Sequence, residues 1–339
     1  MAIIKNAKNI NIVVKDTYTS ISKVSYEESE EVIIEALQDD LGLISQKKVV
    51  KQGFGKESEV DKNQEEISSN VLGEKEDVFL FLFFYIDEDH KGKHMISESC
   101  QTRLKNLKKI SWYDGKKYKA FSIPIQSVDE ILEQIPIIVK KHSESDTKRV
   151  VMAEIGVFSH AAGDGPISYN KEVINCPISG WPQQMDMCGW EQIDVLWSPS
   201  GKCVFYGCNT GNPSASKNFA QNISNLSNFK DVEVWGQSTS SFPSFYPDYR
   251  VTSAARSIDG DYSGGIIENG LGWDIRGNTY QVAGNKGEGK KSISYRPDKS
   301  SLTEEELKKG GYPKANVMNC YKNGTLIKSS HQGVFNDHR

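Results

Sequence analysis

Val78-Phe-Leu-Phe-Leu-Phe-Phe-Tyr-Ile86 is the most apolar run of the chain, and it limits the available folds more than any other feature. It supplies about half of the roughly 20 apolar residues that a membrane-crossing helix needs. It is rich in strand-forming residues and reads as a central strand. Two further apolar runs follow. One starts at Val150 and ends in Ser159-His160; the other starts at Cys203 and ends in Gly207-Cys208. Between them lie helical patterns. Ser97–Leu107 is a candidate helix. Val128–Lys141 is amphipathic, with Ile131, Leu132, Ile135, Ile138 and Val139, and Pro136 as a potential kink. Tyr118–Ile125 and Asp231–Gly236 read as strands, and a helix is predicted from about Ser214 to Leu226. Strands alternating with helices argue for an α/β fold, a mostly parallel sheet flanked by helices.

The flanks differ from this core. Residues 1–24 alternate weakly, with Ile10, Ile12 and Val14, as short strands do, and Glu27–Leu41 has a helical apolar face. Residues 46–76 are Lys, Glu, Ser, Asn and Gln with few apolar anchors, the composition of a loop or linker. Beyond Ser238, Gly, Ser and aromatic residues dominate. Short strands are predicted at Lys291–Arg296 and Tyr321–Lys328, the latter with Asn323-Gly324 as a hairpin turn. Ser301–Leu307 reads as a short capped helix. The chain thus divides into an N-terminal element (1–45) suited to loading or targeting, a flexible linker (46–77) and an α/β core (78–245). A loop-rich C-terminal extension (246–339) with short antiparallel strands covers that core.

A net charge of −4 gives no global attraction to nucleic acid or anionic membrane. The start, Met-Ala-Ile-Ile-Lys-Asn-Ala-Lys, has no apolar signal core, so synthesis in the cytoplasm without a signal peptide is expected, with export by a dedicated machine left open. The six cysteines (100, 176, 188, 203, 208 and 320) have no repeated spacing, and reduced thiols are expected. Cys203 reads as structural; Cys176 and Cys188 read as packed or exposed thiols. His90 and His94 with Cys100 could face one another on a helix, but Gly92 and the surrounding Asp and Lys residues suggest a polar loop, so no metal or other cofactor is expected.

The two strand ends carry the chemistry. An imidazole and a thiol delivered to one edge of a parallel sheet can meet, and the imidazole can then take the thiol proton to make the nucleophilic thiolate. His160 is followed by Gly163, Asp164 and Gly165, which allow close approach. Cys208 is preceded by Gly207 and followed by Asn209-Thr210-Gly211, whose backbone can donate to an oxyanion at the start of the predicted helix. A buried cysteine ending an apolar strand is also common packing material. Asp164 and Asp186 are polar candidates for which loop-capping is the plainer reading.

Ile155-Gly-Val-Phe-Ser-His160 together with Val204-Phe-Tyr-Gly-Cys208 resembles the paired signature of caspase-like (clan CD type) cysteine peptidases. It is most similar in flavour to bacterial caspase-like domains of large secreted proteins. Phe219-Ala220 and Val232-Glu-Val-Trp-Gly-Gln-Ser238 resemble the next helix and strand of that fold, so the likeness spans about residues 78–245. It departs at Ala161, where the family usually has Gly. The resemblance implies an endopeptidase with Cys208 as nucleophile and His160 as general base, acting on a protein or peptide substrate. An inactive binding module, or an amide or lipid hydrolase using the same dyad, remain alternatives. Ile3–Val14 is similar to the repetitive strands of type VI secretion spike proteins. That likeness implies an antibacterial effector toxin delivered into target cells, partnered by a spike or tube component and an immunity protein.

Overall fold

The apolar run forms strand β1 (Glu76–Ile86). Successive side chains of a strand point to opposite faces, and both faces of β1 are covered. Leu80, Leu82, Phe84 and Ile86 enter one apolar core, while Phe81 and Phe83 enter a second. The structure is a computed structural model that describes residues 75–88, 93–143, 148–169, 183–215, 217–251, 254–256, 266–268, 271–273, 278–284 and 301–336. All lie within one unit, Asn70–Arg339. The expectations for residues 1–45, the linker and Lys291–Arg296 fall outside the described residues.

After β1 come α1 (Lys93–Lys109), β2 (Tyr118–Ile125), α2 (Val128–His142) and β3 (Lys148–Phe158). The short strands β4 (Ala161–Ala162) and β5 (Gly165–Pro166), α3 (Met187–Trp190), β6 (Trp197–Phe205), α4 (Phe219–Ser224) and β7 (Glu233–Gln237) follow. The C-terminal part holds β8 (Ser241–Ser244), β9 (Ala254–Arg256), β10 (Ile266–Glu268), β11 (Leu271–Trp273) and β12 (Tyr280–Ala283). It ends with α5 (Glu304–Lys309), β13 (Met318–Lys322), β14 (Thr325–Ser330) and α6 (Gly333–Asn336). The main sheet has the order β14-β13-β7-β6-β3-β1-β2. Its five strands from β2 to β7 are parallel, and β13 and β14 add on antiparallel. The α/β expectation holds, including the short antiparallel pieces at the C-terminal end. One detail differs: β6, not β1, is the middle strand. Apolarity on both faces marks a strand as interior without ranking its place.

Helices cover both sheet faces. Met95, Ile96, Cys100 and Leu107 of α1 pack with Phe81 and Phe83. The other face carries the core shared by Leu80, Leu82 and Phe84, by Val128, Ile131 and Ile135 of α2, and by Phe219, Ala220 and Ile223 of α4, where the Phe219 ring meets Phe205 of β6 edge-on. The helix predicted over 214–226 is much shorter, because Pro213 and two asparagines punctuate its start. Asn212 Oδ1 accepts from Ser214 N in a local turn, and Asn218 caps α4 by accepting from Gln221 N. The hairpin turn expected at Asn323-Gly324 within Tyr321–Lys328 is present: β13 and β14 fold about these two residues, with φ of 49° and 75°. Thr303 and Glu306 form the capping box of α5. The expectation of reduced thiols throughout fails at Cys188, which is disulfide-bonded.

Candidate active site

Three neighbouring strands end at the same sheet edge, each followed by a residue with a reactive side chain. β6 leads to Cys208, β3 to His160 and β1 to Glu88. The parallel registers align these ends: Val157 lies opposite Phe205, and Tyr85 opposite Phe158. The pairing extends past the strands, with Tyr206 N donating to Val157 O at 2.9 Å. One residue further the two backbones touch. A Cβ on Gly207 would collide with Ala161 Cβ and lie 3.0 Å from Ser159 O. The residues either side of His160 therefore abut the residue before Cys208, and only glycine fits there.

His160 Nε2 lies 3.0 Å from Glu88 Oε1. The imidazole is 45% exposed and the carboxylate 9%, so the ring is reachable from solvent while its partner is enclosed. Glu88 is held from the β2 side, where Asp87 N donates to Ile125 O and Gln126 Nε2 to Asp87 O. His160 is fixed through its carbonyl, which accepts from Ile167 N at 2.8 Å. The hairpin β4–β5 follows, turning at Gly163-Asp164. A Cβ on Gly163 would come within 2.7 Å of Ala215 Cβ, so this hairpin lies against the segment that follows Cys208.

Cys208 opens the loop that leads from β6 to α4. Asn209 adopts φ 58°, a left-handed geometry that asparagine tolerates, and its amide donates to Thr239 O at 2.9 Å. Thr210, fully buried, donates through Oγ1 to Gly207 O at 3.0 Å and accepts from Gln237 N at 3.1 Å. Gly211 N bonds Gln237 O, tying the loop to the end of β7. The sulfur itself faces β8. Ser241 N donates to Cys208 Sγ at 3.2 Å, Ser241 Oγ lies at 3.4 Å and Ser241 O at 3.7 Å.

Cys208, His160, Gly207, Asn209 and Gly163 thus gather at one edge. Asp164 occupies the exposed tip of the β4–β5 turn, and Asp186 precedes α3, its carbonyl accepting from Gly189 N. The predicted helix start after Cys208 is a turn instead, and α4 begins only at Phe219. Glu88 and Ser241 escaped sequence reading. Glu88 sits just past the end of β1 and Ser241 opens β8, and nothing marks either until the strand arrangement is known. The other thiols are of a different kind. Burial pushes Cys100 and Cys320 up to about 12 and raises Cys203 well above the ordinary thiol value. Cys100 also bonds Ser122 Oγ at 3.2 Å. His90 lies outside the described residues. Among the described residues no cluster of three or more His, Cys, Asp or Glu side chains is arranged to hold a metal, and no helix is long and apolar enough to cross a membrane.

No protein-family model matches the chain, and no curated protein does. Among solved structures it is similar to a secreted C11 cysteine protease from Bacteroides thetaiotaomicron in complex with an irreversible peptide inhibitor. The identity is 12% and the TM-score 0.31. The match covers 48% of this chain and 49% of that one, about half the length of each.

Proposed function

We propose that this chain is a cysteine hydrolase, an endopeptidase in which Cys208 is the nucleophile and His160 the general base. The observation that carries the reading is the order Cys208, His160, Glu88 on three adjacent strands, with backbone contact at Gly207 between the first two. With Nε2–H donated to Glu88, Nδ1 carries the imidazole lone pair and takes the Cys208 proton. The thiolate attacks the peptide carbonyl carbon, forming an S–C bond as the carbonyl π pair moves to oxygen. The Cys208 amide is the donor assigned to that oxyanion, since the Asn209 amide is given to Thr239. The imidazolium returns its proton to the leaving amine as the C–N bond breaks, and water then hydrolyses the thioester with His160 again as base. Glu88 acts through His160, holding the ring and offsetting its transient positive charge.

Digestion of a mixed peptide library by wild type, Cys208→Ala and His160→Ala tests this reading. New termini generated only by wild type support it. Identical libraries after all three overturn it in favour of a binding module, and cleavage confined to side-chain amides overturns the endopeptidase assignment.

The delivered-effector part of the proposal rests on the likeness of Ile3–Val14 to secretion-spike strands. The Cys188 disulfide supports it, because such bonds persist outside the reducing cytoplasm. Growth arrest of bacteria expressing wild type, absent with folded Cys208→Ala, is the expected result; equal growth would remove the toxin role.

A further inference from the structure

β8 presents an unusual backbone to the Cys208 sulfur. In the β8–β12 ladder Ser241 faces Ala283, and Gly284 N donates to Ser240 O at 2.8 Å. This makes Ser241 and Ala283 a non-hydrogen-bonded pair, so the N–H and C=O of Ser241 point away from β12. They point at Cys208, whose sulfur receives the Ser241 amide at 3.2 Å with the Ser241 hydroxyl at 3.4 Å and carbonyl at 3.7 Å.

The segment is held from behind. Ser238 N and Oγ both donate to Val317 O, and Asn316 Nδ2 donates to Thr239 Oγ1. Asn316 N donates in turn to Ala283 O on β12. Thr239 O takes the Asn209 amide, so the residues on both sides of the contact are fixed as well.

As a thiol, Cys208 can donate to the Ser241 carbonyl or hydroxyl while accepting from the amide. As a thiolate it can only accept, and two donors already face it. Hydrogen bonds to a charged acceptor are roughly twice as strong as neutral ones. We infer that Ser241 is a positioning residue whose amide and hydroxyl hold the thiolate of Cys208, directly and without passing through His160. The inference deepens the nucleophile assignment and rests on it for its catalytic meaning. The contact would also explain the C-terminal extension: β12 and residues 316–317 fix the strand that aims the sulfur.

The test is the rate of iodoacetamide modification of Cys208 in the full folded chain at neutral pH, resolved by peptide mass. Sulfur attacks the CH₂ carbon, the C–I bond breaks, iodide leaves and the thiol proton is lost to solvent or His160. Ser241→Pro removes the amide donor and the hydroxyl; Ser241→Ala removes the hydroxyl alone. Each is compared with wild type and again in a His160→Ala background. Slowing by about tenfold for Pro and about two- to threefold for Ala is expected, on the scale of hydrogen bonds to charged groups. The same factors are expected without His160. Rates equal within error, faster modification in Ser241→Pro, or an effect that vanishes with His160 overturns the inference. Cys100, Cys203 and Cys320 report on folding, since they react only if the core opens. If they react in Ser241→Pro, the Ala variant decides, and no slowing there overturns the inference. Alkylation requires no cleavage, so absent peptidase activity with an intact Ser241 effect defeats the proposed function alone.

Discussion

At the scale of single residues, the site depends on which proton-bearing groups water and substrate can reach. Glu88 is enclosed and His160 half-exposed, so in the proposed mechanism the carboxylate holds the ring while the ring is open to solvent. Glu88→Gln keeps shape and removes the charge. It is expected to lower kcat by about ten- to a hundredfold, part of what general-base catalysis supplies, with little change in KM. Steady-state kinetics on a peptide substrate checks this, and a change in KM alone would count against it. The placing of Cys208 and His160 at one sheet edge was legible in the sequence because each follows an apolar strand-like run directly. Glu88 was not: two residues past the most apolar strand it resembles any acidic loop residue. Its role exists only once β1 is known to lie beside β3. Ser241 was hidden for the same reason, since a serine in a Ser-rich stretch has no signature of its own.

Elements bring these residues together through one close approach. Gly207 has no room for a Cβ between Ala161 and Ser159 O. Gly207→Ala is expected to push the β3 and β6 loops apart, costing about 1–3 kcal/mol as an overpacked site does. Activity should fall further than stability explains, which parallel urea titrations and cleavage assays would show. Unchanged activity would mean that the contact does not set the site. Strand and helix periods were readable because two-faced burial leaves a strong pattern. The early start predicted for α4 was not supported, since Pro213 and the local bonds of Asn212 and Asn218 give the backbone partners outside a helix.

On the scale of the whole molecule, α1, the sheet and the C-terminal end meet at one buried ion pair. Arg103 Nε lies 3.1 Å from Glu154 Oε1 and Nη2 2.5 Å from Oε2, with both side chains almost fully enclosed. The guanidinium also lies over the Phe83 and Phe335 rings, joining β1 and α6 to the same point. Arg103→Met would leave the Glu154 carboxylate buried without its partner, at a cost of about 3–5 kcal/mol. Replacing both residues by apolar ones should recover much of that loss; denaturant melts of the three proteins would show whether it does. No periodicity announces such a pair, because its partners are far apart in sequence and each alone looks like surface.

The most direct measurement is the rate at which iodoacetamide labels Cys208 in wild type and in folded His160→Ala at neutral pH. Rapid labelling of Cys208 alone, slowed on removal of His160, is the result predicted. Burial keeps Cys100 and Cys320 near 12, where thiolate is scarce, so they should stay unlabelled. Equal labelling of Cys208 in both proteins would contradict activation by His160 and leave the paired strand ends as packing.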